Sequence, residues 1–376
     1  MTLFTLSELV IIAKGLFPKR KRFVRMAGNF DVNGNQIAVT KIDSAAPSYH
    51  SASFLSGLLQ REDESLSFTA QGWMVQPRVE EKGSMPRIVV AAQALTLHQL
   101  EGIFTALQSW CVAGPLVKHP FSERFGDTVV SAPVRQTRKG GLQQALGSVA
   151  ETYHADIAVV NDSPLLTEPG LLVMDMDSTV IQIECIDEIA KLAGLGEQVA
   201  AVTAQAMRGE LAFSESLISR VACLKGVPVA QLEQIRNQIP LMPGVATLIA
   251  VLKQHNWRVA IASGGFTYFA DYLCLRLGLD EARSNTLEVQ DGNLTGRVLG
   301  NIVDAKVKAL TVQELQQKWQ IADSQTIAMG DGANDLLMME TARLGVACHA
   351  KPIVNEKADV AIRYTGLQGL LYYLNC

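Results

Sequence analysis

Leu171-Leu172-Val173-Met174-Asp175-Met176-Asp177-Ser178-Thr179 sets an unbroken apolar run directly before a pair of acids. Four apolar residues in a row read as a short strand buried on both faces, the habit of parallel sheets. Similar runs recur at Arg258–Ala262, Thr326–Met329, Gly345–Cys348 and Val360–Ile362. Helical segments such as Val245–Gln254 and Ala309–Lys318 lie between them. Alternation of this kind predicts an α/β fold with a doubly wound parallel sheet. Ligands of such sheets bind beyond the C-terminal ends of the strands, which is where Asp175 and Asp177 fall. A lone D-x-D is more often a loop start or a helix N-cap. Two carboxylates leaving a buried strand are costly to hold together unless something binds them, and a divalent cation is the obvious candidate.

Three further groups sit at or near predicted strand ends. Met329-Gly330-Asp331-Gly332-Ala333-Asn334-Asp335 flanks an acid with glycines that let a backbone approach a ligand. A plain strand-to-helix turn accounts for Asp335 but not for three polar residues in five. Ser263-Gly264-Gly265 offers a small hydroxyl and backbone N–H groups that can cradle a phosphate; alone it is an ordinary turn. Val303-Asp304-Ala305-Lys306-Val307-Lys308 offers two lysines, whose default is the surface. Together these residues suit phosphoryl transfer with one Mg²⁺, an ion that takes oxygen ligands and keeps several waters. No G-x-x-x-x-G-K-[ST] or H-E-x-x-H occurs, so a P-loop and a zinc peptidase site are excluded. The nucleophile is best assigned to an aspartate, through an aspartyl-phosphate.

Between the strands at Leu171 and Arg258 the chain is far longer than the ~2–6 residues of an ordinary connection. It reads as four short helices: Ile186–Leu192 stopping at Gly194, Glu197–Arg208, one capped by Ser214 with Leu217, Ile218, Val221 and Leu224 inward, and Ala230–Gln238. A helical insert here, over about 185–243, is a candidate cap above the first strand's end.

Upstream, three further regions are expected. Residues 1–85 carry a strand pair around Phe23–Arg25 and Gln36–Lys41, turned at Asp31-Val32-Asn33-Gly34, then a polar, broken stretch from Gly57 to Gly72 and a linker at 80–84; no role is assigned to them. Residues 86–163 read as β-α-β-β-α-β: strands at Arg87–Ala92, Trp110–Ala113, Asp127–Val134 and Asp156–Val160, a helix capped by Thr96, and a helix at Leu142–Tyr153. That order is the ferredoxin-like split arrangement, and its topology resembles the ACT-like regulatory modules of amino-acid metabolism. Pro164–Gly170 reads as a linker, so the remainder, 170–376, should be separable, and symmetric pairing makes a homodimer the expected oligomer.

The chain has 376 residues, with Lys plus Arg 33 against Asp plus Glu 37 and a net charge of −4. This balance gives no electrostatic reason for nucleic acid to be the partner. No run approaches the ~18–20 apolar residues of a membrane span, and Lys19-Arg20-Lys21-Arg22 follows rather than precedes the first apolar stretch, unlike an export signal. The six cysteines lack C-x-x-C spacing, which disfavours zinc and suits reduced thiols in a cytoplasmic protein.

Asp175–Thr179, Ser263-Gly264-Gly265, a following lysine and Gly330–Asp335 resemble the four motifs of the haloacid dehalogenase-like phosphotransferases. Asp175 through Ala190, Ala206-Met207-Arg208-Gly209-Glu210-Leu211, Phe213, Ser216-Leu217, Arg220-Val221 and Ala350-Lys351-Pro352 resemble its phosphoserine phosphatase branch. The likeness runs from about Leu171 to Arg363 and leaves the first 165 residues uncovered. Met176 stands where the family commonly has phenylalanine, an apolar packing position. The resemblance implies Mg²⁺-dependent hydrolysis of O-phosphoserine, the last step of serine biosynthesis. Asp175 would be the nucleophile and Asp177 the general acid, then base. Mg²⁺ would be held by the Asp175 carboxylate, the Asp177 backbone carbonyl and Asp331, with Asn334 and Asp335 supporting that shell or the substrate. Ser263, the Gly264 N–H and Lys308, favoured over Lys306 by alignment of the following helix, would hold the phosphoryl group. Glu184 would pair with the substrate ammonium and Arg220 with its carboxylate, while Met207 and Phe213 close the pocket. Without the resemblance, Glu184 and Arg220 read as a solvated helix face or an ion pair within the cap. Two other functions use the same residues: transfer of phosphate from phosphoserine to another alcohol, and an amino-acid-sensing regulator that has lost activity.

Overall fold

The computed structural model describes residues 25–30, 36–60, 63–69, 71–78, 85–208 and 211–376. Antiparallel strands β1 (Arg25–Phe30), β2 (Gln36–Lys41), β3 (Glu64–Thr69) and β4 (Gly72–Pro77) form a sheet ordered β1-β2-β4-β3. The first strand starts at Arg25; Phe23, the expected turn at 31–34 and the expected linker at 80–84 lie outside the described residues. The stretch taken as broken holds a helix, Ala52–Leu59, and the β3–β4 pair. Within it Leu59 and Leu66 are buried, and Leu58 and Phe68 pack half-buried against the same core, which is enough to order a polar segment.

Next come β5 (Arg87–Ala92), β6 (Cys111–Ala113), β7 (Val117–Lys118), β8 (Thr128–Gln136) and β9 (Asp156–Val160), with helices at Leu97–Leu107 and Leu142–Tyr153. The first of those helices starts at a capping box in which Thr96 and Gln99 satisfy each other's backbone N–H. The strand order β6-β8-β5-β9, antiparallel throughout, is the split β-α-β pattern.

The C-terminal sheet contains β10 (Leu171–Met174), β11 (Arg258–Phe266), β12 (Glu281–Gln290), β13 (Asn293–Leu299), β14 (Thr326–Gly330), β15 (Leu344–Cys348) and β16 (Val360–Ile362). Its order is β13-β12-β11-β10-β14-β15-β16, parallel except for the β12–β13 hairpin. All residues of β10, β14 and β15 are buried, as uninterrupted apolar strands require. The hairpin escapes a reading based on apolar runs, because Glu281–Gln290 is polar. Its turn, Asp291-Gly292, has positive φ at both residues (51° and 77°), the geometry of a two-residue hairpin loop. The insert forms helices Cys185–Leu192, Gly196–Met207, Phe213–Cys223 and Val229–Gln238. The third begins earlier than its expected cap, Ser214. Its N-cap is Ala212, whose N–H donates to the Glu215 carboxylate at 3.0 Å.

Pro164–Gly170 is no free tether. The Leu165 N–H donates to Gln325 Oε1 at 2.8 Å, the Leu166 N–H to the Asn375 carbonyl at 2.8 Å, and the Trp257 indole to the Leu166 carbonyl. Val89, Val129 and Ala158 belong to the same apolar core as Met174, Leu371 and Tyr372, so the two units share an interior. Polar groups fix their relative placement. The buried Asp156 carboxylate accepts from the N–H groups of Arg363, Tyr364 and Thr365 at 2.7, 3.1 and 2.9 Å, and from the Thr365 hydroxyl at 2.7 Å. Arg87 donates to the carbonyls of Tyr372, Tyr373 and Leu374, and the Tyr372 hydroxyl donates to Asp127.

Asp156→Ala would strand three N–H donors, the one on Thr365 buried, together with the Thr365 hydroxyl. It should lower the unfolding free energy by about 3 kcal/mol, read as a fall in denaturant midpoint; an unchanged midpoint would show that the clasp contributes nothing.

Candidate active site

Three adjacent strand ends build the site. Asp175 follows β10, Ser263 and Gly264 lie in the last turn of β11, and Asp331 follows β14. The Asp175 N–H donates to the Met329 carbonyl at 2.9 Å, which ties the first acid to the strand that carries the third. Gly330 must be glycine, because a Cβ there would run into the Asp335 carboxylate.

Beneath the acids lies Lys308. Asp304 caps its helix, Ala305–Trp319, by accepting from the Val307 N–H at 2.9 Å. One turn on, the Lys308 ammonium is 0% exposed and sits 2.8 Å from Asp175 Oδ2 and 2.7 Å from Asp335 Oδ1. Burial alone would lower its pKa; the two carboxylates outweigh that and raise it. Lys306 is exposed. Residues 308, 311, 312 and 315 are buried together on one helix face, so the 3.6-residue period already distinguished the two lysines.

Carboxylate oxygens of Asp175, Asp331 and Asp335 lie within 4.8 Å of one another. Both Asp335 oxygens are engaged, Oδ1 by Lys308 and Oδ2 by the Gly332 N–H at 3.0 Å, and so are those of Asp175, Oδ2 by Lys308 and Oδ1 by the Met176 N–H at 2.7 Å. The Asp331 carboxylate accepts only a long hydrogen bond, 3.5 Å, from the Thr179 hydroxyl among the described residues. Its carboxyl is pushed up to about 7, by burial first and then by Asp175, Asp335 and Glu184, with Lys351 opposing. A set of oxygen donors with more negative than positive charge fits a hard divalent cation. Asp175, Asp331 and Asp335 are the acids that could hold such a cation, and the Asp331 carboxylate is the least engaged of the three.

Asp177 is held differently. Burial first, then Glu184 and Asp175, push its carboxyl well above the usual carboxylate range. Its Oδ2 accepts from the Cys185 N–H at 3.3 Å, and its buried Oδ1 has no partner among the described residues. It is thus suited to carry a proton beside Asp175.

The cap closes over these groups around a cavity of about 310 Å³. Asp175, Asp177, Ser263, Gly264, Asp331 and Asn334 line its floor; Glu184, Phe213 and Arg220 line its roof. A Cβ on Gly264 would come 2.8 Å from Phe213 Cζ, so the cap rests directly on the cradle. Glu184 Oε1 accepts from the Ser178 hydroxyl at 2.8 Å. Arg220 Nε is buried and has no hydrogen-bond partner among the described residues, and its charge lies close enough to Glu184 to oppose the rise that burial causes in that carboxyl's pKa. Residues 209–210 and the Met207 side chain lie outside the described residues. Lys351, Asp187 and Thr203 also reach the cavity, without a role assigned from sequence; Lys351 belongs to the quoted Ala350-Lys351-Pro352.

The family model for haloacid dehalogenase-like hydrolases matches residues 172–340. A phosphoserine phosphatase of Vibrio cholerae is 53% identical over 236 residues, 63% of this chain and 72% of its own length. The chain belongs to the haloacid dehalogenase-like hydrolases, in their phosphoserine phosphatase branch. A crystal structure described as a probable, unliganded phosphoserine phosphatase from Vibrio cholerae superposes with a TM-score of 0.65 at 45% identity, over 77% of this chain and 86% of that one. A phosphoserine phosphatase captured as a phospho-aspartyl intermediate analogue superposes with a TM-score of 0.52 at 39% identity, over 55% of this chain and all of that one. The hydrolase is accordingly a phosphatase. Among the described residues no helix is long and apolar enough to cross a membrane.

The raised Asp331 carboxyl predicts how cation binding depends on pH. Its folded-state pKa, about 7, exceeds the ordinary ~3.9, so the cation-free fold holds a proton there that is lost as pH rises, together with the stability it confers. Mg²⁺ competes with that proton. The rise in Tm on adding Mg²⁺ should therefore be larger at about pH 8 than at about pH 5; equal increments would contradict this placement of the cation.

Proposed function

We propose that the hydrolase converts O-phosphoserine and water to serine and phosphate with Mg²⁺, the closing step of serine biosynthesis. The observation that carries this reading is a single cavity that joins Asp175 and Asp177 to both a carboxylate, Glu184, and a guanidinium, Arg220, whose Nε has no partner among the described residues. Phosphoserine carries a phosphate for the floor, an ammonium for Glu184 and a carboxylate for the Arg220 fork.

In the first step an Asp175 oxygen forms a bond to phosphorus while the bond to the serine oxygen breaks. Asp177 gives its proton to that oxygen, and serine leaves. In the second step water attacks the aspartyl-phosphate, Asp177 takes the water's proton, and phosphate leaves with Asp175 restored. Lys308 pairs with the Asp175 carboxylate at 2.8 Å before it attacks and again once phosphate has left. Lys308, the Ser263 hydroxyl and the Gly264 N–H stabilise charge spread over the phosphoryl oxygens. Asp175, Asp331 and the Asp177 carbonyl would hold Mg²⁺, with Asn334 beside them. When bound, the cation draws charge from the phosphate oxygens. Phe213 keeps bulk water from the intermediate.

Release of serine and of inorganic phosphate from phosphoserine with Mg²⁺, measured with and without added alcohols, tests the reading: serine release that needs an alcohol and yields a new phosphate ester in place of free phosphate would make the enzyme a transferase, and no release of either an inactive sensor. Asp175→Asn should cost at least ~10³-fold in kcat while the protein stays folded. Substantial residual turnover, beyond what deamidation supplies, would place the nucleophile elsewhere. Arg220→Ala should lower kcat/KM for phosphoserine by roughly 100-fold and spare a phosphate ester without a carboxylate. Equal losses on both substrates would assign Arg220 to the packing of the cap.

A further inference from the structure

Asn285 is a buried amide, 1% exposed, in β12 of the polar hairpin. Both ends of its side chain are used, and each end serves a different wall of the phosphate cradle. Its Nδ2 donates to the Gly264 carbonyl at 2.8 Å, and its Oδ1 accepts from the Val303 N–H at 2.9 Å. The first bond fixes the peptide between Gly264 and Gly265. On the far side of that peptide the Gly265 N–H donates to Ser263 Oγ at 3.0 Å. A hydroxyl that accepts there keeps its own hydrogen for another acceptor. The second bond fixes Val303, directly before Asp304, the cap of the helix that carries Lys308. One side chain therefore spans the Ser263–Gly264 loop and the start of the lysine helix.

We propose that Asn285 is a positioning residue for phosphoryl transfer, setting the spacing between the Ser263–Gly264 donors and Lys308. It touches neither substrate nor cation. The proposal rests on the phosphatase reading above, but it concerns only the phosphoryl end of the substrate. Its effect is therefore independent of what Glu184 and Arg220 recognise. A misplaced donor weakens the transition state more than the ground state, so the loss belongs in kcat. Asn285→Ala removes both bonds. Asn285→Asp keeps an acceptor for Val303 but turns an oxygen toward the Gly264 carbonyl.

The test is steady-state kinetics of the full chain with Mg²⁺ on O-phosphoserine and on p-nitrophenyl phosphate, with inorganic phosphate as inhibitor and the folded fraction measured by denaturation. Both variants should lose at least tenfold in kcat on both esters, with phosphoserine KM within about threefold of the parent and weaker inhibition by phosphate. Should Asn285→Ala not fold, Asn285→Asp gives the same readout. Three results would overturn the proposal: kcat unchanged per folded molecule, a loss confined to phosphoserine, or a change in KM alone. A parent enzyme that cleaves p-nitrophenyl phosphate but not phosphoserine would refute the substrate and leave the Asn285 comparison intact on the first ester.

Discussion

The ammonium of Lys308, fully buried between Asp175 and Asp335, is the contact on which the site depends. Carboxylates gathered at the end of buried strands repel one another and lose their hydration. Lys308 compensates two of them at once, and it can do so because the Asp304 cap and the helix period aim it inward. This division of labour gives each acid a distinct state. Asp175 pairs with the Lys308 ammonium and accepts from the Met176 N–H at the edge of the cavity. Asp335 is spent on Lys308 and the Gly332 N–H. Asp331 faces the space where an added cation would lower its cost, and Asp177, with no cation beside it, is pushed toward its protonated form.

Sequence made the apolar half of this arrangement legible. The strands from Leu171, Arg258, Thr326, Gly345 and Val360 announce themselves as runs bounded by acids, glycines or a serine, and the site residues hang from their ends. Glu184 and Arg220 were legible only through family resemblance, because their meaning comes from a shared cavity that charge patterning does not encode. The polar half was harder to read. The β12–β13 hairpin has no apolar run, and the Asp291-Gly292 turn was its one clear mark. Asn285 sits inside that hairpin, where a lone asparagine has no signature until both of its hydrogen bonds are seen. The start of the third cap helix was misplaced for a similar reason. Glu215, three residues inside, does the capping, whereas Ser214 is the type that ordinarily would.

The upstream unit shows a different limit of sequence reading. Prolines and a glycine at 164–170 suggest a flexible joint, yet hydrogen bonds to Gln325 and Asn375 and a shared apolar core make the segment a seam. Asp156 ends the chain's run after β16 by taking three successive N–H groups. The same stretch leads back toward the site, since the Arg363 carbonyl contacts the His349 ring and the Lys351 N–H donates to the Asp331 carbonyl at 3.3 Å. The N-terminal unit therefore packs against the segment that leads back to Asp331.

The account stands on Asp175 becoming phosphorylated. The direct measurement is to mix the enzyme and Mg²⁺ with phosphoserine carrying a radioactive phosphoryl group, quench in acid during the first turnover, and map the protein-bound label by peptide mass. The account predicts label on the peptide that contains Asp175, appearing and decaying at rates that match turnover. Phosphate release with no protein-bound label, or with the label on a different residue, would contradict it.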